Sequence, residues 1–408
     1  MRKQLLAICL VSASESTFPN SIYLPAEGIS AWLKTRRSWI EVPTQVDERD
    51  RNGDYVLENG QPFTANGGDG VFNGQDELVL EFPVAASESV EITDATAARW
   101  LRDHGLGPGD AIRSRVTAAG RDYELMFVRG GKFPALPTAA RFENGSGMIH
   151  AGGYRYRFNR DNPAAIGSLE IPGGTRGEFA TINEDGGFAL WLSPPWGFPV
   201  VSRSNEDLDG AVESWRAGPV RSIVAVGSKY TAFWSLMKAH LFSELVFYRD
   251  RFQIPSVVDI PFSPGKLLGL GSGFAYAMRL EGTIAPEVEQ NAEGRARVSV
   301  VHSSGLVLSA SVDPALARAG VLPHVWQRGR TGATATVPDH VARWFKDTGA
   351  TTGFFVDISR MERGRYDFAL DLESPGKANQ SHTDFLTCKS VWTPMVPTQT
   401  SRPVTKQE

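Results

Sequence analysis

Between Asp47 and Glu77 the chain reads DERDRNGDYVLENGQPFTANGGDGVFNGQDE, an acidic run studded with glycine. Asp50, Asn52 and Asp54 stand at alternate positions, and Asp69, Asn73, Asp76 and Glu77 follow. Oxygen ligands at alternate positions, then Asp-Gly and a carboxylate roughly seven residues on, are how a loop wraps a hard cation such as calcium. Asp, Asn and Gly are equally the residues of tight turns, and Asn59-Gly60, Asn66-Gly67 and Asn73-Gly74 fit that use. In both readings the run is a loop between strands, and the flanking elements must be short and extended.

The pattern around the loop agrees. Residues 21–24, 39–46 and 77–84 are strand-like runs, the last two with the acidic loop between them. One helix is expected at residues 94–104. Thr93 or Asp94 caps it, Ala97, Ala98, Trp100, Leu101 and His104 share a face, and Gly105 stops it. Beyond Asp110 the chain turns to long strands. Residues 111–117 and 122–129 flank Ala118-Ala119-Gly120, a hairpin signal. Residues 220–226, 244–254 and 256–261 are rich in Val, Ile, Phe and Tyr with frequent polar alternation. Further strands are expected at 274–280, 297–302, 305–311, 353–358 and 366–372, with short helices at 315–319 and 337–345. Strands and helices do not alternate in the βαβ manner, so a parallel sheet is not expected. The expected fold is mainly β: a small amino-terminal β-module at 18–92, a helical connection at 93–109, a large antiparallel β-sandwich at 110–393 with few short helices, and a loose tail at 394–408.

Bulk properties exclude several classes. A formal net charge of −4 gives no electrostatic footprint for nucleic acid. No apolar run approaches the roughly 18 residues of a membrane-spanning helix, so no transmembrane segment is expected. Two cysteines, Cys9 and Cys388, cannot supply a disulfide framework, a zinc ligand set or a haem-attachment motif. Arg2 and Lys3 precede a short apolar stretch, and Val11-Ser12-Ala13 offers a small-residue cleavage site. That reads as an export signal over residues 1–13, with a periplasmic or secreted mature chain. Residues 5–12 read alternatively as a first strand.

Candidates for chemistry are scattered. His150 lies in GMIHAGGYRYR, where Tyr154 and Tyr156 share one face of a strand and Arg155 and Arg157 the other. A His or Tyr base beside an Arg that holds a carboxylate is what β-elimination from a uronic acid requires. His240 and His302 stand near strand ends and complete the catalytic candidates with His150, Tyr154 and Arg155. Trp191 and Trp196, in a proline-stiffened aromatic loop, are candidates for stacking on sugar rings, and Tyr248 and Arg249 for contacting the same substrate. Each also has a plain packing role open to it. No GxSxG elbow or P-loop spacing occurs.

Residues 68–78, GDGVFNGQDEL, resemble the second half of a dockerin-type calcium loop, a module of extracellular proteins. The resemblance implies Ca²⁺ held by Asp50, Asn52, Asp54, Asp69, Asn73 and Asp76, with Phe72 turned inward; the split between the two halves departs from that family's pattern. The long aromatic and Arg/His-bearing strands from about 110 to 372 resemble the large β-sandwiches of galactose-mutarotase-like and polysaccharide-lyase proteins. That resemblance implies a cleft for a polysaccharide or oligosaccharide, worked as a lyase or hydrolase; the alternative is a non-catalytic envelope or extracellular protein that binds glycan.

Overall fold

The computed structural model describes residues 7–12, 27–60, 68–72, 76–82, 88–118, 121–173, 178–194, 201–207, 209–232, 237–260, 268–269, 271–280, 287–290, 296–329, 337–362, 364–374, 386–387 and 389–394. The chain forms two units, and both are mainly β with few short helices. Among the described residues no helix is long and apolar enough to cross a membrane.

The first unit comprises Met1–Val56, Thr64–Pro137 and Thr383–Glu408. A four-stranded sheet runs in the order Leu386–Thr387, Ala7–Ser12, Glu77–Phe82, Thr44–Asp47. A five-stranded sheet runs Lys389–Pro394, Ala111–Ala118, Arg121–Arg129, Ile29–Lys34, Trp39–Val42. Their facing sides share one core, in which Ala31, Leu33, Leu125 and Phe127 meet Val46, Leu78, Leu80 and Phe82. Phe72 is in that core too, 1% exposed. The alternate residues of the five-stranded sheet, among them Trp32, Met126 and Val128, lie under the helix Asp94–Asp103. That helix is capped as its sequence requires: the Thr93 side chain accepts from the Thr96 amide, and Gly105 follows with φ +71°.

Residues 7–12 form a strand paired antiparallel with Glu77–Phe82 and parallel with Leu386–Thr387, as the strand reading of 5–12 expects. The helix and the 111–129 hairpin also belong to this unit, because Arg121–Arg129 pairs with Ile29–Lys34. The boundary therefore falls after Pro137, not near residue 110. The two residues that turn the hairpin, 119–120, lie outside the described ones, as do the tail from 395 and Cys388.

The second unit comprises Leu57–Phe63 and Thr138–His382. Its nine-stranded sheet runs Glu287–Gln290, Ala296–Val301, Val307–Val312, Gly364–Glu373, Arg251–Ile260, Met237–Tyr248, Arg221–Ala232, Asp209–Ala217, Asn59–Gly60. One five-stranded sheet contains Glu178–Glu184, Ile166–Gly173, Arg155–Phe158, Met148–Ala151 and Ala140–Glu143; another contains Val201–Ser204, Gly187–Leu192, Gly273–Met278, Thr352–Asp357 and Pro323–Gln327. All three sheets feed one core. Phe247, Phe252, Ile254 and Leu372 of the large sheet meet Ile149, Tyr156 and Leu169 of the first small sheet and Phe188, Tyr276 and Phe354 of the second. Burying each such side chain contributes roughly 1.5–3 kcal/mol. The helix Asp339–Asp347 covers the outer side of the second small sheet with Val341 and Phe345.

Residues 244–254, expected as one strand, are two. Phe247 opposes Phe252 and Val246 opposes Gln253 across a hairpin that turns at Arg249-Asp250. Gly153 lets this turn approach closely: its amide donates to Arg249 O at 2.8 Å, and a Cβ there would meet the Asp250 Cα at 3.0 Å.

Candidate functional site

The outer face of the sheet at 140–184 carries two of the sequence candidates, His150 and Arg155. Phe142, Ile149, Tyr156 and Leu169 are buried in the core, so the alternate residues face outward. His150 is directly opposite Arg141 on one neighbouring strand and Arg155 on the other, and Arg155 is opposite Glu170. Directly opposed residues have Cβ atoms about 5 Å apart, so Arg141, His150, Arg155 and Glu170 form one cross-strand row. The His150 Nε2 lies 3.5 Å from Glu143 Oε2, and Arg141 reaches Glu143 Oε1 at 4.0 Å. Ser146 Oγ donates to Glu143 Oε2 at 2.6 Å. The Ser146 hydroxyl, and then His150, hold the Glu143 carboxyl below its ordinary value. Arg155 pairs with Glu170 at 3.5 Å and lays its guanidinium 4.1 Å from the centre of the Phe179 ring. The His150 side chain is 38% exposed and that of Arg155 42%, so both reach solvent.

Of the five catalytic candidates, the described side chains bring together His150 and Arg155. Tyr154 is fully buried, and its hydroxyl lies 2.9 Å from the carbonyl oxygens of both Tyr248 and Arg251, which share its one proton. Burial raises its pKa well above the ordinary phenol value, so it fastens the 248–251 hairpin and cannot serve as a base at a surface. Tyr156 is likewise in the core, and burial raises its pKa as well. His302 begins a tight turn: its Nδ1 accepts from the Ser304 amide at 3.2 Å and lies 2.7 Å from Ser304 Oγ. His240 occupies a strand position opposite Lys229, and its side chain lies outside the described ones.

The substrate-binding candidates separate in the same way. Trp191 is 3% exposed and packs edge-on against Trp344, His340 and Phe355, so it closes a core and offers no open ring face. Trp196 lies outside the described residues. Tyr248 is 1% exposed, and its hydroxyl accepts from the Arg221 guanidinium at 3.2 Å. Arg249 is exposed at the hairpin turn. The partners that complete the His150 group, Arg141, Glu143 and Ser146, were missed. Their signal is the alternation Ala140-Arg141-Phe142-Glu143, but pairing it with His150 requires the strand register, which spacing alone does not supply.

The acidic loop is organised by turns and by an arginine. Asp50 is 6% exposed, and its Oδ1 accepts from the amides of Asn52 at 2.8 Å and Asp54 at 3.1 Å. The Asp69 carboxylate accepts from the Val71 amide, the Asp76 carboxylate from the Arg49 amide, and the Glu48 carboxylate from the Gly70 amide. Arg49 bonds Glu77 Oε1 at 2.7 Å and the carbonyl of Gly53, while the Tyr55 hydroxyl donates to Glu77 Oε2 at 2.7 Å. Asn73 lies outside the described residues. Among the described residues no group of three or more His, Cys, Asp or Glu is placed to hold a metal. Of the six calcium candidates, Asp50, Asp69 and Asp76 each set a carboxylate oxygen on a backbone amide, and the positive charge beside Glu77 is the Arg49 guanidinium. Between the two halves of the run, Leu57–Phe63 belongs to the second unit, where Asn59–Gly60 edges the large sheet.

No protein-family model matches the chain, and no curated protein matches it. Among solved structures the chain is similar to an alpha-mannosidase from Enterococcus faecalis V583, at TM-score 0.42 and 8% identity, over 97% of this chain and 47% of that one. It is similar also to a protein in glycosyl hydrolase family 38 from Enterococcus faecalis, at TM-score 0.41 and 8% identity, over 97% and 46%. The chain spans about half the length of the solved structures it matches. Neither likeness bears on what this chain does.

Proposed function

We propose that the protein binds an acidic glycan on the outer face of the 140–184 sheet without cleaving it. The observation that carries this reading is the Arg141–His150–Arg155 row, exposed on a rigid strand platform. A guanidinium offers a planar fork that fits a carboxylate, and two of them flanking an imidazole suit a chain of uronate units. Binding on an open sheet also needs no deep cleft. Cleavage by β-elimination would need a base and an acid converging on one sugar. The two phenols nearest His150 in sequence are spent inside the core, which favours the binding reading over the lyase one.

The test is calorimetric titration of the full chain with polygalacturonate, alginate and a neutral glucan, at low and at moderate salt. Uronate binding that weakens with salt is expected, with at least a tenfold loss in the Arg141→Ala, Arg155→Ala double variant. Absorbance at the unsaturated-uronate band should stay flat throughout. Equal affinity for the neutral polymer, or an unaffected double variant, would sink the reading. A rising absorbance would replace it with the lyase.

A further inference from the structure

Three indoles, a phenyl ring and an imidazole gather on one side of the first unit. Trp32 and Trp39 stand on the neighbouring strands Ile29–Lys34 and Trp39–Val42. Trp100 and His104 are one turn apart at the end of the helix Asp94–Asp103, and Phe133 follows the strand Arg121–Arg129. The ring centres of Trp32 and Trp100 are 4.9 Å apart, of Trp39 and Trp100 5.5 Å, of Trp32 and Phe133 5.0 Å, and of Trp100 and His104 4.0 Å. Trp100 is buried, but Trp32, Trp39 and Phe133 are only half-buried and His104 is exposed. An aromatic cluster left half open to water is the kind of surface that marks a binding site.

The polar rim is specific. Glu41 is the cross-strand partner of Trp32, so its carboxyl shares the face of the cluster. It is half-buried, and among the described residues no hydrogen bond or ion pair is made to it; burial raises its pKa. The His104 Nδ1 donates to Trp100 O at 2.8 Å, which leaves Nε2 as the acceptor of the neutral ring, with no hydrogen-bond partner among the described residues. Lys34 places its Nζ 6.0 Å from the Trp39 ring centre. The Trp32 indole N–H is already satisfied by Ser30 Oγ at 3.0 Å, so that ring offers its surface and no donor.

We propose that this patch is a stacking site for a neutral sugar ring, with Trp39 and Trp32 under the ring and the Glu41 carboxylate accepting from adjacent hydroxyls. The ligand must be flat, apolar on one face and hydroxylated at its edge, because the protein offers apolar ring surface beside one carboxylate, one imidazole acceptor and one ammonium. A quaternary ammonium does not fit. Centres at 4.0–5.5 Å mean that the rings pack on each other and leave no cage between them. The site is independent of the uronate row, lies wholly within the first unit, and takes neutral sugars.

The experiment follows intrinsic tryptophan fluorescence of the full chain during titration with neutral oligosaccharides from mannan, glucan, galactan and xylan. Acidic polymers are titrated separately, so absence of uronate binding would leave this result untouched. At least one neutral oligosaccharide should shift the emission saturably. Trp39→Ala should weaken it at least tenfold, and Trp39→Phe, which keeps a ring in the patch, by less. Glu41→Gln should weaken it several-fold while keeping or raising the melting temperature at neutral pH, which separates lost contact from lost fold. No shift with any neutral sugar, or binding indifferent to both Trp39→Ala and Glu41→Gln, overturns the proposal. Concentration-dependent dimerisation abolished by Trp39→Ala, or capture of an apolar peptide in place of sugar, also overturns it and assigns the patch to protein contact.

Discussion

The Arg49 guanidinium lies 3.7 Å from the centre of the Tyr55 ring, and both residues close on the two oxygens of one carboxylate, that of Glu77. The stack ties the two ends of the acidic loop across 22 residues of sequence. Hydrogen bonds to a charged group contribute about 1.5–3 kcal/mol, and removing one partner leaves the other half-buried and uncompensated. Arg49→Met should therefore cost about 2 kcal/mol in denaturant unfolding. A chelator should leave the melting curve of the unaltered protein where it is. A chelator-dependent drop in melting temperature would restore the calcium loop that the run Asp50, Asn52, Asp54 advertises.

The Tyr154 hydroxyl bridges two carbonyls on either side of the 249–250 turn. Tyr154→Phe keeps the ring and leaves both acceptors without that donor. Such a loss costs about 1–3 kcal/mol. Uronate affinity should not change. Loss of affinity at unchanged stability would return Tyr154 to the site.

Burial holds the His324 imidazole below the ordinary value of 6.5, with Asp357 pulling the other way. The unfolded chain then takes up a proton that the folded chain resists. The contribution of His324 is complete above pH 6.5 and is lost as pH falls below it. Stability measured from pH 7.5 down to 5 should decline, and His324→Gln should flatten the decline. A slope unchanged by the substitution would show that other groups govern it.

Ser146 holds Glu143 ionised, and this can be read without any ligand. Ser146→Ala should move the Glu143 titration upward toward 4.5, measured by carboxyl chemical shift against pH. Because Glu143 is exposed at the surface, no change in global stability is expected.

Much of the fold could be read locally. The helix ending at Gly105 was legible because cap, apolar spacing and stop all lie within a dozen residues. The 111–129 hairpin was legible because its strands adjoin its turn. The 248–251 hairpin was not, since Arg249-Asp250 carries no glycine or proline, and the strong apolar runs on both sides read as one strand. Tyr154 and Arg155 show the limit for the site. Both are amphipathic, and alternation says only that they face opposite ways, with the core on either side. The sequence signal at Asp50 was ambiguous for a related reason: a carboxylate that accepts backbone amides in a turn has the same spacing as one that wraps an ion.

The strand Lys389–Pro394 pairs with Ala111–Ala118 and sends Trp392, 4% exposed, into the first core. During synthesis the ribosome delivers that strand about 270 residues after its partner, a separation that slows closure. The five-stranded sheet of the first unit must wait on the ribosome with an open edge while Thr138–His382 of the second unit emerges. A chaperone that shields β-edges should therefore be found on nascent chains arrested before residue 389, and should leave once the last strand is free of the exit tunnel.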